Sequence, residues 1–292
     1  MNQEFDFKEI NCPICDSSQS KFPGWRGGEA HHNKSGVKTS IVRCLICSHQ
    51  YPNPMPFPQN ENLDDLYVNA EEYFRGHEVE KKKQMGLELL SDFEQKLGKK
   101  GRFLDVGCAA GEFLWAAKER GWEYEGVDPS SEFIRIGREH LGVEGRVCLL
   151  EDAKFPDNYF DAVTMSSVLE HIYNPYELLS EIRRILKPGG YFWFDAPNED
   201  GLYMKAGNFY MKLQGRDWVV TMAPTFPPYH VQGFNPKSLK KLLKRADFEL
   251  NELIVFGKVW EFTGEKSLRK KIEFKMAQYV TWIGNRFNQG PY

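Results

Sequence analysis

A chain of 292 residues, 41% hydrophobic and 27% charged, has an ordinary globular composition, which excludes wholesale disorder and fibrous repeats. A formal charge of −3 leaves no overall basic excess to neutralise a phosphate backbone, so nucleic acid is disfavoured as a partner unless a local basic patch exists. The start MNQEFDFKEI lacks the pattern of a secretory leader and no window reaches the roughly 18 apolar residues of a membrane span, which makes the cytoplasm the expected compartment.

Residues 1–57 carry Cys12-Pro-Ile-Cys15 and Cys44-Leu-Ile-Cys47 among turn-forming residues. Two C-x-x-C knuckles present four thiolates to one tetrahedral ion, and sulfur in every position makes that ion structural. Cys12, Cys15, Cys44 and Cys47 are thus the expected ligands of Zn2+ in a small ribbon. A reducing compartment disfavours disulfides, and His31, His32 and His49 read as solvent-exposed histidines that the ion does not need. The run Tyr51-Pro-Asn-Pro-Met-Pro-Phe-Pro is expected to break regular structure. Residues 58–100 read as a helical lid or linker, first around Leu63, Leu66 and Tyr67, then around Met85, Leu89, Phe93 and Leu97, ending near Gly98.

From Arg102 strands and helices alternate, with strands over 102–106, 124–127, 146–150, 160–165 and 191–194 and helices over 112–120, 131–140 and 176–186. Such alternation implies right-handed crossovers and a parallel sheet. Asn174-Pro175 suits a cap with a first-turn proline, and Lys187-Pro188-Gly189-Gly190 suits a stop. Within the core at 101–256, residues 199–234 read as an irregular cap insertion. Its Tyr203, Phe209, Tyr210, Trp218 and Phe226 either line an acceptor pocket or pack the insertion itself. A helix is expected over 236–247, a strand over 248–256, and an extension at 257–292 with a helix over 264–287. Lysine-rich runs at 81–83, 240–245 and 269–271 read as solvated helix faces.

The strand ending in Asp105-Val106 turns through Gly107-Cys108-Ala109-Ala110-Gly111 into a helix, and the next strand ends at Asp128. Small residues let a ligand approach the backbone, the helix N-terminus offers N–H groups, and a carboxylate after the second strand accepts ribose hydroxyls, which together describe an adenosine-type site. Glycines at 107 and 111 do not supply the G-x-G-x-x-G spacing of a dinucleotide site, so NAD or FAD is the weaker reading.

Leu104-Asp105-Val106-Gly107-Cys108-Ala109-Ala110-Gly111 resembles the first motif of class I S-adenosylmethionine (SAM)-dependent methyltransferases of the UbiG-like group. Phe155-Pro156-Asp157-Asn158-Tyr159-Phe160-Asp161, Val168-Leu169-Glu170-His171, Ile185-Leu186-Lys187-Pro188-Gly189-Gly190 and Asp195-Ala196-Pro197-Asn198 resemble its later motifs in order. The resemblance implies an α/β, Rossmann-like fold with a mostly parallel sheet of the seven-stranded type. Nothing after 287 reads as the final strand, so either that strand is missing or the strand order differs. It also implies that SAM is the cofactor, with Asp105 at the base of the loop, Gly107 and Gly111 beside the methionine part, and Cys108 and Ala109 between them. Ala109 stands where the family often has glycine. Asp128 is implied on the ribose, Leu149, Leu150 and Glu151 around the adenine, and Ser166 near the methionine end.

Methyl transfer from a sulfonium chiefly requires alignment, and a base is useful. His171 and His230 are the candidates, each with an alternative reading as a structural histidine, and Tyr73 resembles a lid residue or is a core tyrosine. The four-cysteine segment resembles one found on some bacterial methyltransferases, including sugar C-methyltransferases. The expected function is methylation of an oxygen or carbon of a small molecule (sugar, lipid-like compound or secondary metabolite). The alternatives are an RNA or protein methyltransferase that recognises its polymer through the ribbon, and a SAM-binding protein without catalysis.

Overall fold

The computed structural model describes residues 5–27, 37–59, 74, 79–222 and 229–255. The chain divides into two compact units, one of residues 1–59, 170–173 and 196–292, the other of residues 60–169 and 174–195.

The first unit begins with β1 (Phe5–Lys8), β2 (Ser20–Arg26), β3 (Thr39–Cys44), β4 (Gln50–Pro52) and β5 (Met55–Pro58). Strands β2, β3 and β4 form an antiparallel sheet in that order, and β5 pairs antiparallel with β1. The proline run expected to break regular structure therefore carries two strands. Both are outer strands, where a missing N–H need not interrupt a ladder.

The second unit contains α1 (Val79–Leu97), β6 (Arg102–Val106), α2 (Glu112–Arg120), β7 (Glu123–Asp128), α3 (Ser131–Ile136), β8 (Arg146–Val147), β9 (Phe160–Ser166), α4 (Pro175–Ile185) and β10 (Leu186–Asp195). Its sheet has the order β10-β9-β6-β7-β8 with every pair parallel. The chain runs outward from β6 to β8 and returns to β9, so the order reverses between β6 and β9. A crevice for a ligand forms at the carboxyl ends of strands at such a point. Strands β6 and β9 are buried almost throughout, as parallel strands covered on both faces must be. Phe103, Leu104, Leu114, Ala117 and Phe160 fill the core, with Leu90 and Phe93 of α1 closing it.

Several boundaries differ from the sequence reading. Residues 131–140 begin as α3 and pass into a wider π turn over Gly137–Leu141. A Cβ at Gly137 would stand 2.5 Å from the Ala110 carbonyl oxygen, so only glycine lets this turn pack on the loop after β6. The strand expected to reach 150 ends at Val147, because the chain turns there and Asp152 N–H bonds Leu149 O. Strand β10 starts at Leu186, five residues early, and takes Lys187-Pro188-Gly189-Gly190 through a register shift against β9. Five strands form the sheet among the described residues, and 248–255 add none. Phe248 N–H bonds back to Leu243 O, and Leu250 and Ile254 are exposed instead of facing a sheet. The helices expected around Leu63 and over 264–287 lie outside the described residues.

The first unit resumes with α5 (Leu202–Leu213) and α6 (Pro236–Arg245). Helix α5 corrects the reading of 199–234 as irregular: twelve residues without proline, several of them Leu, Met, Lys or Ala, suffice for three turns. It buries no residue, and Tyr203, Phe209 and Tyr210 are exposed, so these aromatics do not pack the insertion. Helix α6 is set by Asn235, whose Oδ1 accepts Ser238 N–H at 3.0 Å while Ser238 Oγ accepts Asn235 N–H, a reciprocal cap contributing about 1 kcal/mol. Asn235 Nδ2 donates to Ser48 O and Arg245 Nη1 to Ile14 O, which fastens α6 to both cysteine knuckles.

Candidate cofactor cradle, cysteine cluster and histidine pair

The loop after β6 is shaped by its own hydrogen bonds. Gly107 and Cys108 N–H both donate to Val127 O, and Ala109 N–H donates to Asp128 Oδ2 at 2.9 Å. These amides serve the loop, so the cradle there comes from backbone shape. Gly107 holds φ +69° and its hypothetical Cβ would lie 2.4 Å from Val168 Cγ2, a position open only to glycine. Ala109 also stands in the left-handed region, at φ 45°. The Cys108 side chain is buried toward Gly126 and Gly145, so only its backbone borders the cradle.

Asp128 ends β7 with its carboxylate buried and gripped at both oxygens, Oδ1 by Ser130 N–H and Oδ2 by Ala109 N–H. Burial pushes its pKa up to about 6 against those two donors. Asp105 is buried beneath the loop, accepts the Thr164 hydroxyl at 2.7 Å, and is pushed by burial to about 7. Leu149, Leu150 and Glu151 follow β8 in a turn, Leu150 buried and Glu151 exposed, and Ser166 ends β9. Two further groups, which the sequence reading quoted without giving them a role here, border this region. Asp195, at the end of β10, accepts Ser167 N–H at 2.7 Å and is raised by burial. Lys82, read as part of a solvated face, is half-buried, and its charge reaches both Asp105 and Asp195.

In the first unit the sulfurs of Cys12, Cys15, Cys44 and Cys47 converge, with Sγ–Sγ separations of 3.5 Å for Cys12–Cys47 and 3.6 Å for Cys15–Cys44 and Cys15–Cys47. Contact with Cys12 sets Cys47 apart as the acidic thiol, down to about 5 against the opposing effect of burial, while the same contact raises Cys12.

His171 lies on one 3-10 turn, Leu169–His171, and its Nδ1–H donates to Tyr229 O at 3.0 Å, which leaves Nε2 as a lone pair. The His230 ring is 4.9 Å away and nearly perpendicular, and nitrogens of both rings lie within 4.8 Å of each other and of a Glu170 carboxylate oxygen. Glu170 O accepts Val231 and Gln232 N–H, at 2.9 and 3.0 Å, so the two histidine-bearing segments are clamped together. Burial lowers His171, and lowers His230 to about 3 with His171 and Arg26 adding to the effect. Both imidazoles are therefore neutral at neutral pH.

Gln232 ties this pair to the ribbon. Its Nε2 donates to Ile172 O and Tyr173 O, so its Oε1 must accept, and it accepts Nε2–H of His49 at 2.7 Å. His49 is thus fully buried, contrary to its reading as an exposed histidine, and burial holds it near 4. Gln50 and Gly233 exchange backbone hydrogen bonds beside it. No periodicity or motif marks Gln232 or His49. Their only signal is spacing, His49 two residues after Cys47 and Gln232 two after His230. Tyr73, His31, His32 and Phe226 lie outside the described residues.

The profile of a family described as "Methyltransferase domain" matches residues 76–253. A ubiquinone biosynthesis O-methyltransferase of Thiobacillus denitrificans is 27% identical over 158 residues, 52% of this chain and 66% of that protein. A protein of the same name from Dechloromonas aromatica is 28% identical over 159 residues, with the same shares. A crystal structure of a SAM-dependent methyltransferase from Archaeoglobus fulgidus has 24% identity, covers 73% of this chain and 92% of its own, and gives a TM-score of 0.48.

Proposed function

Since this chain belongs to the methyltransferase-domain family, we propose that it is a SAM-dependent O-methyltransferase of small molecules, with the neutral His171 as its proton acceptor and His230 packed against it. SAM, when bound, supplies an electrophilic methyl group on a positively charged sulfur. Asp128 would hold the ribose and the 107–111 turn the methionine part. The fit rests on a buried carboxylate lifted to about 6, because such a group gains from two hydroxyl donors. The observation that carries the base role is the tether of His171 Nδ1–H to Tyr229 O, which fixes a neutral imidazole with its Nε2 lone pair available. Oxygen is preferred to carbon as the acceptor atom because the curated relatives carry the name O-methyltransferase.

We also read the four cysteines as a structural zinc site in a reducing cytoplasm. Tetrahedral thiolates at Zn–S distances of about 2.3 Å stand about 3.8 Å apart, and the sulfurs here already approach that spacing. The ion would hold the two knuckles to which α6 and, through His49 and Gln232, the His171 segment are fastened.

The test is mass-spectrometric detection of methyl transfer from labelled SAM across a panel of hydroxylated acceptors. His171→Gln should lower kcat by about 10²–10⁴-fold while S-adenosylhomocysteine affinity is unchanged. Turnover unaffected by His171→Gln overturns the base role. Elemental analysis finding no zinc, where about one ion per chain is expected, removes the metal.

A further inference from the structure

Helix α6, in the first unit, has the sequence PKSLKKLLKR, with lysines and an arginine but no acid. Its buried side chains, Ser238, Leu242 and Leu243, lie toward one side. Lys237, Lys240, Lys241 and Lys244 stand at i, i+3, i+4 and i+7 on the other side, all exposed, and form a ridge about 10 Å long. None of the four pairs with a carboxylate among the described residues. Elsewhere the helices interleave acids with their cations: Lys83 meets Glu80 and Lys96 meets Asp92 on α1, Arg135 meets Glu132 on α3, and Arg184 meets Glu181 on α4. On α6 the neighbours three and four residues apart are like charges, which repel, and Lys237 stands in the first turn, where the helix dipole disfavours a cation. The arrangement is nonetheless held rigidly. The capping box fixes the start of the helix, and the bonds of Asn235 to Ser48 O and of Arg245 to Ile14 O fasten its two ends to the cysteine knuckles. A self-repelling ridge kept in one place leaves its charges for a negative group from outside to neutralise.

We propose that this ridge docks an acidic segment of a partner protein, whose carboxylates at helical spacing stand opposite the four lysines. The proposal goes beyond the methyltransferase reading and does not depend on it. A bilayer surface fits less well, because insertion needs apolar side chains pointing outward beside the cations. The leucines of α6 turn inward, Leu242 and Leu243 buried and Leu239 half-buried. A nucleic-acid strand also fits less well, since such sites interleave aromatics for stacking and track the backbone over several nucleotides. Helix α6 has no aromatic, and the chain beyond it turns acidic at Asp247, Glu249 and Glu252, all exposed. A short run of carboxylates needs only the length of the ridge, and lysines meet carboxylates as single charges without the fork geometry of arginine.

The full chain is titrated at low salt, with fluorescence anisotropy as the readout, against a labelled helical peptide carrying glutamates at i, i+3, i+4 and i+7 and against its glutamine counterpart. The glutamate peptide is expected to bind at least about tenfold more tightly, the joint weight of several exposed ion pairs, and to be released at about 0.5 M salt. Lys240→Glu/Lys244→Glu should remove that preference and favour instead the same peptide carrying lysines. Lys212→Glu, on α5, should leave the preference unchanged. The double reversal relieves like-charge repulsion, so its thermal midpoint should match or exceed the parent's. Lys240→Gln/Lys244→Gln, which should also weaken the preference, serves if the reversed protein does not fold. Equal binding of the glutamate and glutamine peptides, no binding of either, or a preference that survives the double reversal overturns the proposal, and so does a preference lost equally with Lys212→Glu. Tighter binding of a uridine oligonucleotide of equal charge, or of phosphatidylglycerol vesicles, also overturns it and gives the ridge to another class of polyanion.

Discussion

Replacing Gly107 by alanine isolates what the cofactor turn demands of its backbone. At φ +69° an L-residue costs about 1–2 kcal/mol. The new methyl would also stand 2.4 Å from Val168 Cγ2. Carbon contacts are comfortable at about 3.5–4 Å, so the site must shift, and overpacking of this kind costs about 1–3 kcal/mol. Together Gly107→Ala should cost about 2–5 kcal/mol and lower the thermal midpoint by roughly 5–15 °C, with weaker S-adenosylhomocysteine binding because the turn is displaced. The two causes separate in a double mutant. Val168 is half-buried, and Val168→Ala removes the clashing methyl but leaves the backbone torsion, so Gly107→Ala/Val168→Ala should regain the packing part and retain about 1–2 kcal/mol of defect. Differential scanning fluorimetry with and without S-adenosylhomocysteine reads both quantities. A Gly107→Ala protein that melts and binds like the parent refutes the reasoning, and so does a double mutant no better than the single one.

The neighbouring Ala109, at φ 45°, should behave oppositely, Ala109→Gly relieving strain and stabilising by up to about 1 kcal/mol in the same melts. Asp128→Asn places an amide N–H where one of two backbone donors now meets a carboxylate oxygen, so S-adenosylhomocysteine affinity measured by calorimetry should fall at least tenfold, about 1.4 kcal/mol. Gln232→Leu breaks the hydrogen bonds to His49, Ile172 and Tyr173, and should reduce kcat with little change in S-adenosylhomocysteine affinity; an unchanged kcat would show that the ribbon does not position the histidines. Acid should expose a balance between His230 and Glu199. His230, depressed to about 3 from 6.5, contributes stability that is full above 6.5 and is lost as pH falls toward 3. Glu199, raised to about 7 from 4.5, contributes stability that grows as pH falls from 7 to 4.5. The two slopes, each up to about 1.4 kcal/mol per pH unit, oppose one another between roughly 6.5 and 4.5. Glu199→Gln should therefore lose stability more steeply than the parent across that window, as followed by urea midpoints, and parallel curves would show that the two groups do not titrate as described.

The second unit was legible because parallel strands buried on both faces and amphipathic crossover helices write their periods into the sequence. Arg102–Val106, Glu112–Arg120 and the Asn174-Pro175 start were readable residue by residue, and the glycine turn announced an adenosine-type cradle. The failures share a cause. Strand β10 begins at Leu186 and runs on through Lys187-Pro188-Gly189-Gly190 because pairing with β9 overrides local turn chemistry, and β4 and β5 form through prolines because outer strands tolerate a missing donor. Local sequence reports what a segment prefers by itself, whereas these are decided by a partner strand distant in the chain. The histidine site is the extreme case. His171 and His230 could be named from their motifs, but the Glu170 carbonyl that clamps their segments, and His49 and Gln232, which are separated by 183 residues and meet at 2.7 Å, had no local signature. A buried polar network is specified by mutual satisfaction of donors and acceptors, a property of the folded set and of no single segment. Arg26 and Glu199 likewise look like ordinary surface residues until their burial is seen, which only the folded set reveals.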